Sequence, residues 1–338
     1  MIPSSLRWML LFAVLIVPQV LWDVASASAT QTWHATVGAQ SNDEGHQALA
    51  FLPNEIWIHV NDSIEWRFDA DEPHTVTFLP DDSVRPPFPN APSSTNPVTF
   101  DGSTAVSSPG VPAFVKGATF TVNSTNTGKF KLVCPYHQNM TGVVHVLEAN
   151  AQLPHDQGFY DRQAADQQRD LLSDRDRGLV AACAAHDSLK ARVVTAGIGE
   201  ISATAGGSQT LSVVRFIGDK IVIRAGDTVE WTNQDPVTPH TVTFGVEPAN
   251  PAPPSPAPPS LNPKMTVDAD GALHAVITSP ADNVSSGFIA AGAQDQTGSP
   301  QTPLGVTRFR VTFPNPGVFP YKCALHDTLG MKGMVIVH

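Results

Sequence analysis

The chain has 338 residues, of which 15% are charged, with 30 Pro, 24 Gly and a formal net charge of -11 when its 12 His are taken as neutral. That length is too great for one small sandwich and enough for two domains, and so much Pro and Gly favours short strands and turns over long helices. The acidic balance argues against nucleic acid or an anionic membrane surface as partner and is compatible with a basic protein.

At the N-terminus, Arg7 precedes an apolar run from Trp8 to Val17, broken at Pro18 and followed by Ala25-Ser-Ala-Ser-Ala29. Basic, apolar, then small residues is the order of a secretory signal, with cleavage expected near Ala27 or Ala29. The protein is therefore expected to be exported, to the periplasm, cell surface or medium; an uncleaved anchor is the alternative. No other segment is long and apolar enough to span a bilayer, so no stable membrane insertion is expected after cleavage.

The segments that follow occur twice. Asn54-Glu-Ile-Trp-Ile-His-Val-Asn-Asp-Ser-Ile-Glu-Trp66 aligns without gaps on Asp219-Lys-Ile-Val-Ile-Arg-Ala-Gly-Asp-Thr-Val-Glu-Trp231. Pro73-His-Thr-Val-Thr-Phe78 comes after the first and Pro239-His-Thr-Val-Thr-Phe244 after the second. Gly128-Lys-Phe-Lys-Leu-Val-Cys134 then matches Gly317-Val-Phe-Pro-Tyr-Lys-Cys323. Each unit closes on an apolar strand, Gly142-Val-Val-His-Val-Leu147 and Gly333-Met-Val-Ile-Val-His338. The alternation, and the wealth of Val, Ile, Thr and aromatics, predict an all-β fold of two antiparallel sandwiches with separate cores. Ile56, Ile58, Ile64 and Trp66 are expected on buried faces.

Each unit carries an insertion, residues 80–117 in the first and about 246–304 in the second. The second includes the Pro-dense run 251–259, which favours polyproline II, and both are predicted as long surface loops. Residues 150–190, rich in Gln, Arg, Ala and Leu, predict a helical linker split at Gly178. Leu179, Cys183 and His186 share a face of its second half. Packing against a domain is preferred there over a two-ligand metal site, because a lone Cys on an Ala-rich helix acts as a small hydrophobe. The expected organisation is a signal segment at 1–29, domains at 30–149 and 191–338, and the linker at 150–190.

Three cysteines make no disulfide framework, and unpaired thiols in an exported protein need a reason. In the first unit Cys134, His137 and Met140 follow the upstream His74; in the second, Cys323, His326 and Met331 follow His240. Two imidazoles, a thiolate and a thioether are the donor set of a mononuclear blue copper site, with a trigonal plane and a weak axial Met. Thiolate suits Cu(I), and imidazole serves both oxidation states. One loop fixes three ligands, and a separate strand supplies the fourth. Met334 competes with Met331, but Met331-Lys-Gly-Met aligns with Met140-Thr-Gly-Val.

The Pro-His-Thr-Val-Thr-Phe strand, the Gly-x-Phe-x-x-x-Cys-x-x-His turn and the closing Gly-x-Val strand resemble the cupredoxins, the plastocyanin, amicyanin and azurin group. Cys-x-x-His-x-x-Met in the first unit has amicyanin's spacing, and Cys-x-x-His-x-x-x-x-Met-x-Gly in the second is similar to plastocyanin's. The resemblance implies two tandem Greek-key sandwiches, one type 1 copper in each. His74, Cys134, His137 and Met140 would form one site, and His240, Cys323, His326 and Met331 the other. It also implies that His137 and His326 lie on exposed loops as electron ports, with His74 and His240 buried. Tyr136 and Leu325 depart from the family by standing where Pro commonly precedes the ligand His, and Pro135 removes a backbone N–H beside Cys134.

Two such domains also occur in copper nitrite reductases and small laccases. A trinuclear cluster needs His-x-His pairs, which this sequence lacks, and no His adjoins Cys134 or Cys323. The expected function is thus electron transfer between donor and acceptor redox proteins. Copper storage or delivery is the alternative, disfavoured by only six Met, and oxidase or nitrite reductase activity ranks below it. Unequal His-to-Met spacings predict unequal potentials.

Overall fold

A computed structural model describes residues 30–81, 83–86, 93–110, 116–173, 178, 181, 192–247, 265–291 and 306–338. The expected signal segment, the Leu179, Cys183 and His186 face and the run 251–259 lie outside the described residues. The first domain contains β1 (Thr32–Gln40), β2 (His46–Leu52), β3 (Glu55–His59), β4 (Ser63–Phe68), β5 (Thr77–Leu79), β6 (Val98–Phe100), β7 (Val106–Ser107), β8 (Thr119–Ser124), β9 (Gly128–Val133) and β10 (Thr141–Leu147). Helix α1 (Gln157–Ser173) follows. The second domain contains β11 (Val193–Thr204), β12 (Gly207–Ile217), β13 (Lys220–Ile223), β14 (Asp227–Gln234), β15 (Thr243–Phe244), β16 (Met265–Val267), β17 (Leu273–Val276), β18 (Val284–Ser285), β19 (Arg308–Phe313), β20 (Gly317–Lys322) and β21 (Lys332–Val337).

Each domain is a two-sheet sandwich. Strands β3-β10-β9-β5-β7 form one sheet of the first domain, and β13-β21-β20-β15-β18 the corresponding sheet of the second. The other two sheets merge into one of 11 strands, β16-β17-β19-β14-β11-β12-β2-β1-β4-β8-β6. The junction is antiparallel pairing of β12 with β2, where Leu211 faces Ala48 and Val213 faces His46. Joining the two edges satisfies backbone groups that would otherwise be open to unwanted pairing.

The sandwiches are mixed rather than antiparallel. β1 runs parallel to β4, β10 to β3, β11 to β14 and β21 to β13. The cause is topological: β3 and β4 are neighbours in sequence but sit in opposite sheets, so each pairs across a crossover. The insertions are also more than loops. Phe100 in β6 is buried and its strand pairs β8, while β17 pairs β19 with Leu273 buried.

Two large cores form, one per domain, as the repeated apolar faces require. Ile56, Ile58, Ile64 and Trp66 are all buried, as are Ile221, Ile223, Val229 and Trp231 at the aligned positions of the second unit. Each such side chain contributes about 1.5–3 kcal/mol. A third cluster sits at the junction and joins Ala48, Ala50 and Leu52 of β2 to Leu211 and Val213 of β12 and Leu171 of α1. The linker helix therefore docks. Tyr160 is buried within the first core, where its hydroxyl accepts the Trp57 N–H at 2.9 Å and its ring meets Trp33 edge to face.

Candidate metal centres

The ligand candidates sit at the same place in both sandwiches. His74 and His240 precede the short strands β5 and β15, while Cys134 and Cys323 directly follow β9 and β20. The loops to β10 and β21 then fold back on themselves. Cys134 N–H donates to Met140 O at 3.1 Å, and Cys323 N–H to Met331 O at 3.0 Å. His137 N–H reaches Cys134 O, and His326 N–H reaches Cys323 O, both at 3.2 Å. Closing each loop this way places Cys and His side by side over the end of the sandwich.

In the first domain His74 Nδ1 lies 3.1 Å from His137 Nδ1, and Cys134 Sγ lies 3.7 Å from His137 Nδ1. In the second, His240 Nδ1 lies 3.1 Å from His326 Nδ1, and Cys323 Sγ is 4.0 and 3.4 Å from the two imidazoles. Within each trio all ligand atoms fall inside 4.8 Å, and every residue is buried. Bonds of about 2.0 Å to imidazole and 2.3 Å to thiolate, the values for a first-row metal such as zinc, put trigonal donors about 3.5 Å apart. The spacings fit a metal ion held at the centre of each trio. Met140 and Met331 are fully buried in the same cores, whereas Met334 is half-buried within β21.

The repeated hexapeptide has a local explanation. Its His is a ligand candidate, and the N–H of the next residue points at the thiolate sulfur: Thr75 to Cys134 at 3.4 Å, Thr241 to Cys323 at 3.3 Å. Its second Thr continues a hydroxyl chain, Thr77 to Ser107 at 2.7 Å and Thr243 to Ser285 at 3.0 Å. One difference stands out. Thr241 Oγ1 accepts the Ala324 N–H at 2.7 Å, but Pro135 has no such donor and Thr75 Oγ1 approaches Cys134 Sγ at 3.8 Å instead. Arg85 also reaches over the first loop, donating to His137 O at 3.3 Å.

Burial disfavours charge on all these groups, and their mutual contacts oppose it. Despite burial, Cys134 is held well below the usual thiol range by His137 and His74, and Cys323 by His240 and His326. His137 is raised to about 9 by Cys134 and Glu72 against its own burial, and His326 to about 10 by Glu72 and Cys323. His74, pushed the other way by burial, is lowered. Thiols pushed toward the thiolate and buried against imidazoles are sites suited to a soft cation that displaces the ligands' protons.

Two features escape sequence reasoning. Gly38 and Gly197 lie in bulges of β1 and β11 at positive φ (69° and 81°) and press against His74 and His240. The signal was present as Thr36-Val-Gly38 and Thr195-Ala-Gly197. Glu72 is the second, buried at 6% exposure between the domains. Its Oε1 lies 3.3 Å from His137 Nε2 and its Oε2 3.3 Å from His326 Nε2. Despite its own burial, the two imidazoles hold it well below the usual carboxylate range. His137 and His326 are accordingly not exposed electron ports, being 4% and 2% exposed. Glu72 meets both rings on their Nε2 sides.

Comparison with known proteins matches residues 203–338 to the copper binding proteins of the plastocyanin/azurin family. That stretch contains His240, Cys323, His326 and Met331. No curated protein matches the chain significantly. Among solved structures, oxidised plastocyanin from Dryopteris crassirhizoma is 20% identical over 43% of this chain and 99% of its own, with a TM-score of 0.21. A purple cupredoxin from Nitrosopumilus maritimus is 21% identical over 44% of this chain and 99% of its own, with a TM-score of 0.21. A multicopper oxidase is 11% identical over 91% of this chain and 88% of its own, with a TM-score of 0.21.

Proposed function

We propose, from the match of residues 203–338 to the plastocyanin/azurin family of copper-binding proteins, that this chain is an electron-transfer protein with a mononuclear type 1 copper site in each domain. The observation that carries the reading is the pair of buried His, Cys and His trios, each with its two imidazole Nδ1 atoms 3.1 Å apart. His74, Cys134 and His137 would hold one ion and His240, Cys323 and His326 the other, with Met140 and Met331 as axial thioethers. Bound there, copper supplies a one-electron couple. The protein's own part is to keep the thiolate ionised, exclude water and fix the donors, so that little rearranges when the charge changes.

Export, and exchange of electrons with donor and acceptor redox proteins, belong to the same proposal. An oxidase is disfavoured by the lack of His-x-His in the sequence. Among the described residues no helix is long and apolar enough to cross a membrane.

The test is copper stoichiometry with visible absorption, oxidised and then reduced. Two coppers per chain and an intense blue band that bleaches on reduction are expected. One copper would restrict the proposal to one domain, and copper without the band would favour storage or delivery.

A further inference from the structure

We propose that Glu72 is the bridge by which the two copper sites exchange electrons within one chain, joining the His137 imidazole to the His326 imidazole across the domain junction. The inference rests on the electron-transfer reading above and adds its internal route.

Each imidazole turns Nδ1 toward its own trio and Nε2 toward the shared carboxylate. The contact to His137 is a hydrogen bond, and the contact to His326 is an ion-pair approach at the same 3.3 Å. Apart from His326 Nε2, no group among the described residues bonds Oε2, so nothing else competes for it. Glu72, His137 and His326 are each at most 6% exposed, which leaves a ring, carboxylate, ring path in a medium where polar contacts are strong. A buried carboxylate is unfavourable unless its charge is met. Here imidazoles from both domains meet it.

The bridge is single by construction. The position two before the ligand His is Thr238 in the second unit, and that residue is engaged within its own domain by Asp235, Ser212 and Asn233. Exchange along the bridge moves one electron. The copper held by one trio would be oxidised as the copper held by the other is reduced, no bond forms or breaks, and no oxidant beyond the two sites is needed.

The experiment uses the full chain as wild type, Glu72→Gln and Glu72→Ala. Nitrogen-15 NMR of the copper-free proteins first reads the contact: slowly exchanging Nε2–H protons on His137 and His326 are expected in wild type and lost in Glu72→Ala. The copper-loaded proteins are then partly reduced by a short pulse, and equilibration between the sites is followed. A first-order process independent of protein concentration is expected. Glu72→Ala should slow it by about tenfold or more, the equivalent of about 1.4 kcal/mol in barrier, with both blue bands intact. Glu72→Gln keeps the shape but can accept only one imidazole N–H, and should fall between. Wild-type rates in both variants with intact blue bands would overturn the bridge and leave the electron-transfer reading standing. Absence of blue bands in wild type would overturn that reading, and the bridge with it, before any variant is compared.

Discussion

A Cβ atom on Gly38 would stand 2.5 Å from Nε2 of His74, closer than real side chains approach. Gly197 meets His240 in the same way. The bulge at each glycine brings backbone against the outer edge of the ligand imidazole and holds the ring toward its partners. Gly38→Ala should therefore displace His74, remove about half of the bound copper and destabilise the first domain by about 1–3 kcal/mol. Copper content and thermal unfolding check this, with Gly197→Ala expected to do the same to the second site.

The two thiolates differ in their hydrogen bonds, which tune the potential of such a site. Thr75→Val removes the hydroxyl near Cys134 and should lower the first site's potential by some tens of millivolts, about 59 mV being a tenfold change for one electron. Thr241→Val should act differently. It leaves the Ala324 N–H without its acceptor, so the expected effect is about 1–3 kcal/mol of stability with little change in potential. Voltammetry and denaturant unfolding of both variants separate the outcomes. The charge of Arg85 lies near Cys134 and should raise the first site's potential in the same sense as the Thr75 hydroxyl.

Tyr160 fastens α1 to β3 through the Trp57 N–H. Tyr160→Phe keeps the ring packing and removes the acceptor, with an expected loss of about 1–3 kcal/mol read from the denaturant midpoint. Copper binding should be unaffected, since the ring's partners Trp33, His155 and Phe159 belong to neither ligand loop.

Acid should weaken the second domain through one carboxylate cluster. Contacts with Arg310 hold Asp268 and Asp270 below the usual carboxylate range. A depressed native pKa gives stability that is full above the unfolded value, about 3.9, and lost as pH falls through the native one. Unfolding midpoints measured from pH 6 down to 3 should fall less steeply in Asp270→Asn than in wild type.

The sequence by itself determined the repeated strands around each ligand, the residue types of both donor sets and the mostly β class, because these are local matters of alternation and spacing. It did not show β1, β2, β11 or β12. Every residue of β2 is buried, with its core face inside the first sandwich and its outer face under α1 and beside β12, so the alternation that betrays a half-exposed strand is missing. Only the tertiary structure decided that the two domains share one sheet, that His137 and His326 turn inward, and that Glu72 lies between them. Those facts depend on the docking of surfaces far apart in the chain, where a single acidic residue becomes a bridge because of what the other domain places opposite it.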